Sequence, residues 1–346
     1  YEILAQLKRT ASGPMTEARG AEPAFYWNEE VASAEENAIF RHDWVCPGLA
    51  SEIPDVGDYL TFSIAGEPVF SIRDSSGEIK TYANICRHRM MQLLQGRGRT
   101  SRVTCPYHAW SYNLQGQLVG AGHMNHSAGF DKTKICLPQI RTEIWNGWIY
   151  ITLNPDAQSM KKALAPLNDV VARYGMEHYV AVLNEEHVWQ TNWKLLTENF
   201  MEGYHLPVAH KATVGAWFAP NKTVFPDQSY DSFTYQTFAK THAARYGQAH
   251  PDNTRLTGEW RNTSILPTVF PTHMYVLAPD HLWYLSLRPR GVGAVDVRFG
   301  VAMAPEVDAM LTDTAERAAW IRDLVAFFEH VNGEDRHVVE GIYAGS

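Results

Sequence analysis

The feature that most constrains this chain is Cys86-Arg-His88, followed after sixteen residues by Cys105-Pro-Tyr-His108. Each short pair presents one thiolate sulfur and one imidazole nitrogen, so two facing loops can clasp one small metal cluster between them. A [2Fe–2S] cluster with one iron on two Cys and the other on two His has a higher potential than an all-Cys cluster. Gly96-Arg97-Gly98 reads as a loop-like link between the pairs, and Pro106 follows the second Cys. The competing reading is a structural zinc site, since zinc accepts the same four donors. Zinc fingers usually keep both Cys in one pair and both His in the other, whereas each pair here is mixed.

A chain of 346 residues can bury a large core and is expected to divide into two domains. Its first residue is Tyr rather than Met, so the native start is not expected to be residue 1. An apolar fraction of 45% with 20% charged residues is that of an ordinary soluble protein. The net charge of −8 argues against general nucleic-acid binding, which needs a basic footprint. No apolar run is long enough to span a bilayer, and no signal-peptide core is seen, so no membrane partner is expected. Four Cys do not make a disulfide framework in a chain this long. With Cys86 and Cys105 given to metal, Cys46 and Cys136 sit among apolar residues and read as buried free thiols, which suits a cytoplasmic location.

Residues 1–40 read as helical and peripheral, with Val31, Ala34, Ala38 and Ile39 near one face. From Trp44 the chain changes to short segments rich in β-branched and aromatic residues: 58–64, 68–73 and 79–85. Turns are expected at Ala65-Gly66 and Ser75-Ser-Gly77, and a last strand pair is split around Asn146-Gly147. From Ile79 to Phe130 there is no acidic residue, while Lys80, Arg87, Arg89, Arg97, Arg99 and Arg102 all fall inside. That reads either as a positive docking face for an acidic electron donor or as solvated loop charges together with structural hydrogen bonds.

The second informative stretch runs from Asn192 to His210. Asn192 is expected to cap a helix beginning at Trp193, on which Glu198, Glu202 and His205 would share one face. Pro207 is expected to end that helix near Leu206, letting His210 swing back toward His205. Two imidazoles and one carboxylate make the facial triad of non-haem Fe(II) sites, which leaves positions open for O2 and substrate. Taken alone, two such histidines are more often packing or surface residues. Residues 211–262 read as irregular, with Trp217, Phe218, Phe225, Tyr230, Phe233, Tyr235 and Trp260 available for a pocket or a core. Three strands are expected at 272–277, 281–287 and 295–301. A long helix over 307–331 should follow, broken at Asn332-Gly333.

Cys-x-His-x16-Cys-x2-His, followed by Asn-Trp-Lys-x3-Glu-Asn-Phe-x-Glu-x2-His-x4-His, resembles the Rieske non-haem iron oxygenases at their catalytic α subunit. The resemblance implies an α+β chain: an N-terminal helical segment over 1–40, an all-β Rieske domain over 41–155, and a catalytic domain over 156–346. The last is expected to be a helix-grip antiparallel sheet with flanking helices, holding one mononuclear iron. Cys86, His88, Cys105 and His108 would hold the cluster, and His205 and His210 the iron. The third iron ligand is an Asp on an acidic C-terminal helix, best matched by Asp335, with Glu334 or Glu340 as fallback. Glu202 would link the iron site to a Rieske His of a neighbouring subunit, which implies a head-to-tail ring, most simply a homotrimer. Glu198 and Asn199 are candidates to orient ligands or relay protons.

An NAD(P)H-dependent flavin or iron–sulfur reductase is the implied electron donor. Glu at position 202, where many ring-dihydroxylating relatives carry Asp, looks more like the choline, carnitine and betaine branch. The expected reaction is therefore hydroxylation and N-demethylation of a small quaternary or tertiary amine, whose ammonium aromatic side chains could cage. An aromatic-acid monooxygenase or O-demethylase is the runner-up, and ring cis-dihydroxylation comes third. A zinc-stabilised binding module or a pure electron carrier would lack one or both iron sites.

Overall fold

The computed structural model describes residues 2–17, 19–124, 126–217, 223–240 and 244–346. They form two compact units, one of Phe40–Ala165 and one joining Tyr1–Ile39 to Pro166–Ser346. The N-terminal segment thus groups with the C-terminal half of the chain.

The first unit is built of antiparallel strands. Strands β1 (Val45–Leu49), β2 (Asp58–Ile64), β3 (Glu67–Arg73), β4 (Ile79–Ala83) and β5 (Arg97–Arg99) share a sheet with two later ones. Between them in sequence, β6 (Val103–Thr104), β7 (Ser111–Tyr112) and β8 (Leu118–Gly120) form a smaller sheet. With β9 (Gln139–Trp145) and β10 (Trp148–Thr152), the large sheet has the order β1-β10-β9-β4-β3-β2-β5. Two hairpins turn where the sequence placed them. Ala65-Gly66 and Asn146-Gly147 each have φ > 0 at both positions, the two-residue turn whose twist suits a hairpin.

Two expectations for this unit fail. Residues 97–99 are an edge strand rather than a plain loop: Gly98 lies opposite Tyr59, and a Cβ there would come within 2.9 Å of its hydroxyl. Cys46 is buried but Cys136 is exposed, because it alternates with the buried Leu137 in an extended segment bridged to Gln117. The basic stretch is also partly neutralised from outside: Lys80 pairs with Glu78, Arg97 with Glu52, and Arg99 with Asp55 and Asp58. Arg87, Arg89 and Arg102 remain exposed.

The second unit centres on a seven-stranded antiparallel sheet. Its strands are β11 (Val180–Trp189), β12 (Thr223–Val224), β13 (Phe233–Ala239), β14 (Thr263–Val269), β15 (His273–Leu277), β16 (His281–Pro289) and β17 (Val295–Met303). β12 to β17 form one meander, and β11 pairs with β17 at the far edge. Helix α1 (Glu29–Glu35) is capped by Asn28, which accepts from the Glu30 and Val31 amides. Its buried Glu35 receives Trp193 Nε1 at 2.9 Å and Lys194 Nζ at 2.7 Å, tying α1 to the start of α2 (Trp193–Met201). Helix α3 (Leu206–Ala209) follows, then α4 (Pro305–Met310) and α5 (Thr314–Gly345). The core lies where α2 and α5 meet the sheet: Phe200 packs edge-on to Trp283 at 5.9 Å, and Trp283 lies 5.4 Å from Phe328.

Several boundaries depart from the sequence reading, each for a local reason. Asn192 caps α2 as expected, accepting from the Lys194 amide at 3.0 Å. The helix stops at Met201, however, and Glu202 is extended, so Glu198, Glu202 and His205 do not share one helix face. Gln236 Nε2 donates to the Phe200 carbonyl at 3.0 Å, satisfying an acceptor that one more turn would have used. Pro207 begins a helix rather than ending one. It occupies the first turn of α3, where its missing N–H is not needed. The C-terminal break falls at 311–313, where Asp313 caps α5 by accepting from the Ala315 and Glu316 amides. α5 then runs unbroken through Asn332-Gly333, because buried Val331, Asn332 and Asp335 hold that segment by packing. The strands β13 and β14 were missed, the latter because Pro267 disguises it. Among the described residues no helix is long and apolar enough to cross a membrane.

Candidate metal centres

Cys86 and Cys105 sit on two copies of the same loop. Each Cys amide donates to the carbonyl five residues on, Cys86 to Met91 and Cys105 to Trp110, both at 2.8 Å. Each Cys carbonyl accepts from the residue four on, Met90 at 3.0 Å and Ala109 at 3.1 Å, and these two residues have φ of 57° and 55°. The left-handed residue folds each loop back under its own Cys, burying both sulfurs while leaving His88 and His108 exposed. The two imidazoles lie 4.7 Å apart, with Trp110 stacked on His88 at 4.8 Å. Tyr112, which no spacing in the sequence singles out, places its hydroxyl 3.4 Å from Cys86 Sγ and accepts from the Arg87 amide at 3.0 Å. Burial and the bond to Cys86 push the Tyr112 pKa up, so the hydroxyl keeps its proton and can donate to sulfur. Two inward thiols and two outward imidazoles fit a [2Fe–2S] cluster with unlike irons.

The second centre gathers His205, His210 and Asp335, each offering one donor atom within 4.8 Å of the others. His210 Nε2 is 3.1 Å and His205 Nε2 3.6 Å from Asp335 Oδ1, and the rings are 5.2 Å apart. The other nitrogen of each ring is held by a carboxylate: His205 Nδ1 by Glu202 at 2.5 Å, His210 Nδ1 by Glu334 at 2.8 Å. Such an outer bond fixes the tautomer and aims Nε2 at a metal. Asn199 Nδ2 donates to Asp335 Oδ1 at 2.8 Å, and Thr213 Oγ1 donates to Glu334. Burial opposes the charge on His205, but Asp335 and Glu202 outweigh it and lift its pKa to about 9. Burial also opposes ionisation of Asp335, yet the two imidazoles and Asn199 hold it at about 2. Two imidazoles and one carboxylate on one side of a recess fit a ferrous ion with positions to spare.

The structure separates the remaining candidates clearly. Glu334 orients His210, and Glu340 accepts from the Gln190 amide at 2.8 Å and from Arg336, away from the triad. Asn199 joins the site, whereas Glu198 is exposed and accepts from Tyr26 Oη at 2.8 Å. The pocket beside the triad is lined by Phe200, Trp217, Trp283 and Phe328, with Lys240 and His281 as further polar groups. Of the described aromatics named from sequence, only Trp217 is there. Phe225, Tyr235 and Trp260 line another recess, Tyr230 stacks on Phe233 at 4.3 Å, and Phe218 lies outside the described residues. Lys240 and His281 were missed, since a lone Lys and a strand-edge His carry no spacing signal.

The comparisons with known proteins agree with this geometry. A model of the Rieske [2Fe-2S] domain matches residues 43–137, and one of the ring-hydroxylating alpha subunit catalytic domain matches residues 176–346. The glycine betaine monooxygenase oxygenase subunit of Chromohalobacter salexigens is 35% identical over 187 residues, covering 54% of this chain and 42% of that protein. The carnitine monooxygenase oxygenase subunit of Escherichia coli strain K12 is 33% identical over 189 residues, covering 54% of this chain and 50% of that one. The chain thus spans half or less of the length of these relatives. In fold it is similar to a quaternary ammonium Rieske monooxygenase solved with L-carnitine: TM-score 0.77, 22% identity, covering 93% of this chain and 84% of that one.

Proposed function

The chain belongs to the Rieske non-haem iron oxygenases as a catalytic alpha subunit with both domains, and on that premise we propose that it hydroxylates and oxidatively N-demethylates a small quaternary or tertiary amine such as a betaine. The observation that carries the reading is the convergence of His205, His210 and Asp335 beside an aromatic-lined pocket. The relatives that act on glycine betaine and carnitine favour an alkylammonium substrate. When bound, the cluster supplies electrons one at a time and the ferrous ion supplies the centre at which O2 is reduced.

The chain's own residues would do the rest. Cys86, His88, Cys105 and His108 would hold the cluster, with Tyr112 donating to Cys86. His205, His210 and Asp335 would hold the iron, while Glu202, Glu334 and Asn199 fix the orientation of those three. Glu198 anchors α2 through Tyr26. The Glu202 side chain is 43% exposed and would bridge to a cluster imidazole of the partner subunit in a head-to-tail homotrimer. Apolar side chains exposed beside each end support such a contact: Met90 and Tyr107 near the cluster loops, Tyr204 and Val208 near Glu202. Electrons would come from NAD(P)H through a flavin or iron–sulfur reductase.

Formaldehyde release coupled to oxygen uptake, driven by a surrogate reductase, tests the reading with proline betaine, glycine betaine, carnitine and choline. Stoichiometric formaldehyde from at least one amine is expected. Turnover of an aromatic acid with none of the amines would overturn it in favour of an aromatic-acid monooxygenase.

A further inference from the structure

The pocket beside the triad is electrically polar along its length. One end holds the carboxylates of Asp335 and Glu202. The other holds Lys240, which directly follows β13 and whose backbone amide donates to the Asn262 carbonyl at 3.1 Å. Its Nζ donates to the Tyr246 carbonyl at 2.8 Å and lies 5.4 Å from the Trp217 ring centre. Trp217 stacks on Phe327 at 5.2 Å, and Tyr246 lies 5.4 Å from the same ring. Phe327 and Phe328 precede Asp335 by about two turns of the unbroken α5, so these rings lie roughly 10 Å along the helix from the triad. His281 closes that end, 4.9 Å from Phe328, with its Nδ1 2.7 Å from Asp280.

An ammonium offers three donors, and among the described residues Tyr246 O is the hydrogen-bond acceptor Lys240 meets. Asp280 does not take up the remaining capacity. It accepts from the Gly247 amide and from His281, and acts on Lys240 only through its field. Burial lowers the Lys240 pKa to about 8, with Asp280 opposing, so the group is still mostly charged at neutral pH. A cation held in an apolar recess, with one acceptor among the described residues, is costly unless a ligand supplies an anion. It also repels any ligand that is only cationic.

We propose that Lys240 is the carboxylate-recognising residue of this pocket, so that the substrates are carboxylate-bearing molecules and choline-type cations are excluded. The inference rests on the oxygenase reading of the pocket and narrows it. A betaine fits the polarity in one direction only, its methylated ammonium toward the triad, where Asp335, Glu202 and Glu334 together outweigh the two positive charges a ferrous ion would bring, and its carboxylate on Lys240.

Calorimetric binding tests this separately from turnover, using proline betaine and glycine betaine against their methyl esters and choline. The intact protein should bind an acid at least about tenfold more tightly than its ester or choline, the size of one charged hydrogen bond. Lys240→Met should erase that preference and Lys240→Arg should restore part of it, both with an unchanged visible spectrum. Acid affinity should also fall as pH rises past about 8, where Lys240 loses its proton. Because burial penalises the charged form, Lys240→Met should not lower the melting temperature at neutral pH. Equal binding of ester and acid, or an unchanged preference in Lys240→Met, would overturn the proposal. A preserved binding preference without formaldehyde would instead count against the N-demethylation reading alone.

Discussion

Where Cys86, His88, Cys105 and His108 arrive on two loops of one small unit, each Cys fixed by its own loop's backbone, His210 meets Asp335 across a sequence separation of 125 residues. The first set is local and repeated: the same hydrogen bonds and the same left-handed residue occur twice. The second is assembled by tertiary structure, with the two caps of α3, His205 before it and His210 after it, supplying the imidazoles and α5 the carboxylate. The surroundings differ in sign too. No acidic residue lies between Ile79 and Phe130, whereas Glu202, Glu334 and Asp335 crowd the two iron-site imidazoles. Thiolate ligands bring their own negative charge and need donors such as Tyr112. Neutral imidazoles need carboxylates behind them to be aimed and made basic. One chain thus carries a self-contained cluster site and a site that exists only when the whole second unit is folded.

That contrast can be broken from either side. The largest effect is expected from Cys105→Ser, which removes a thiolate from one loop while leaving the other unit untouched. The visible cluster spectrum and all turnover should be lost, yet mononuclear iron should remain. Loss of both metals together would show that the two sites are not independent. A smaller effect is expected from Glu334→Gln, which weakens the carboxylate behind His210 and keeps its shape. Affinity for the mononuclear iron should drop about 10- to 100-fold, the usual scale for such an outer partner, with the cluster spectrum unchanged. Equilibrium iron binding followed by metal analysis measures it. An unaltered affinity would reduce Glu334 to a packing role with Thr213.

The same contrast explains what could be read from the residues. The Cys/His pairs were legible because their spacing is the geometry: the ligands and the loop are one short segment. Ala65-Gly66 and Asn146-Gly147 were legible for the same reason, as turn chemistry is local. Asp335 was reached only through resemblance, since nothing near it in sequence says that α5 crosses behind His210. The single-face stacking of Glu198, Glu202 and His205 failed because Gln236, from a strand the sequence concealed, takes the carbonyl that would have extended α2. The supposed break at Asn332-Gly333 failed because packing outweighs the low helix propensity of Gly. Lys240 and His281 left no trace, being single residues brought to one pocket by strands far apart in the chain.

One polypeptide holding two separable iron sites, one on the Cys/His loops and one on His205, His210 and Asp335, is what everything above depends on. Metal analysis together with the visible spectrum, on the intact protein and on Asp335→Ala, tests it most directly. A red-brown protein with iron for both sites is expected, and a variant that keeps its colour while losing only the mononuclear share. A colourless protein, zinc in place of iron, or a variant that retains all its iron would contradict it.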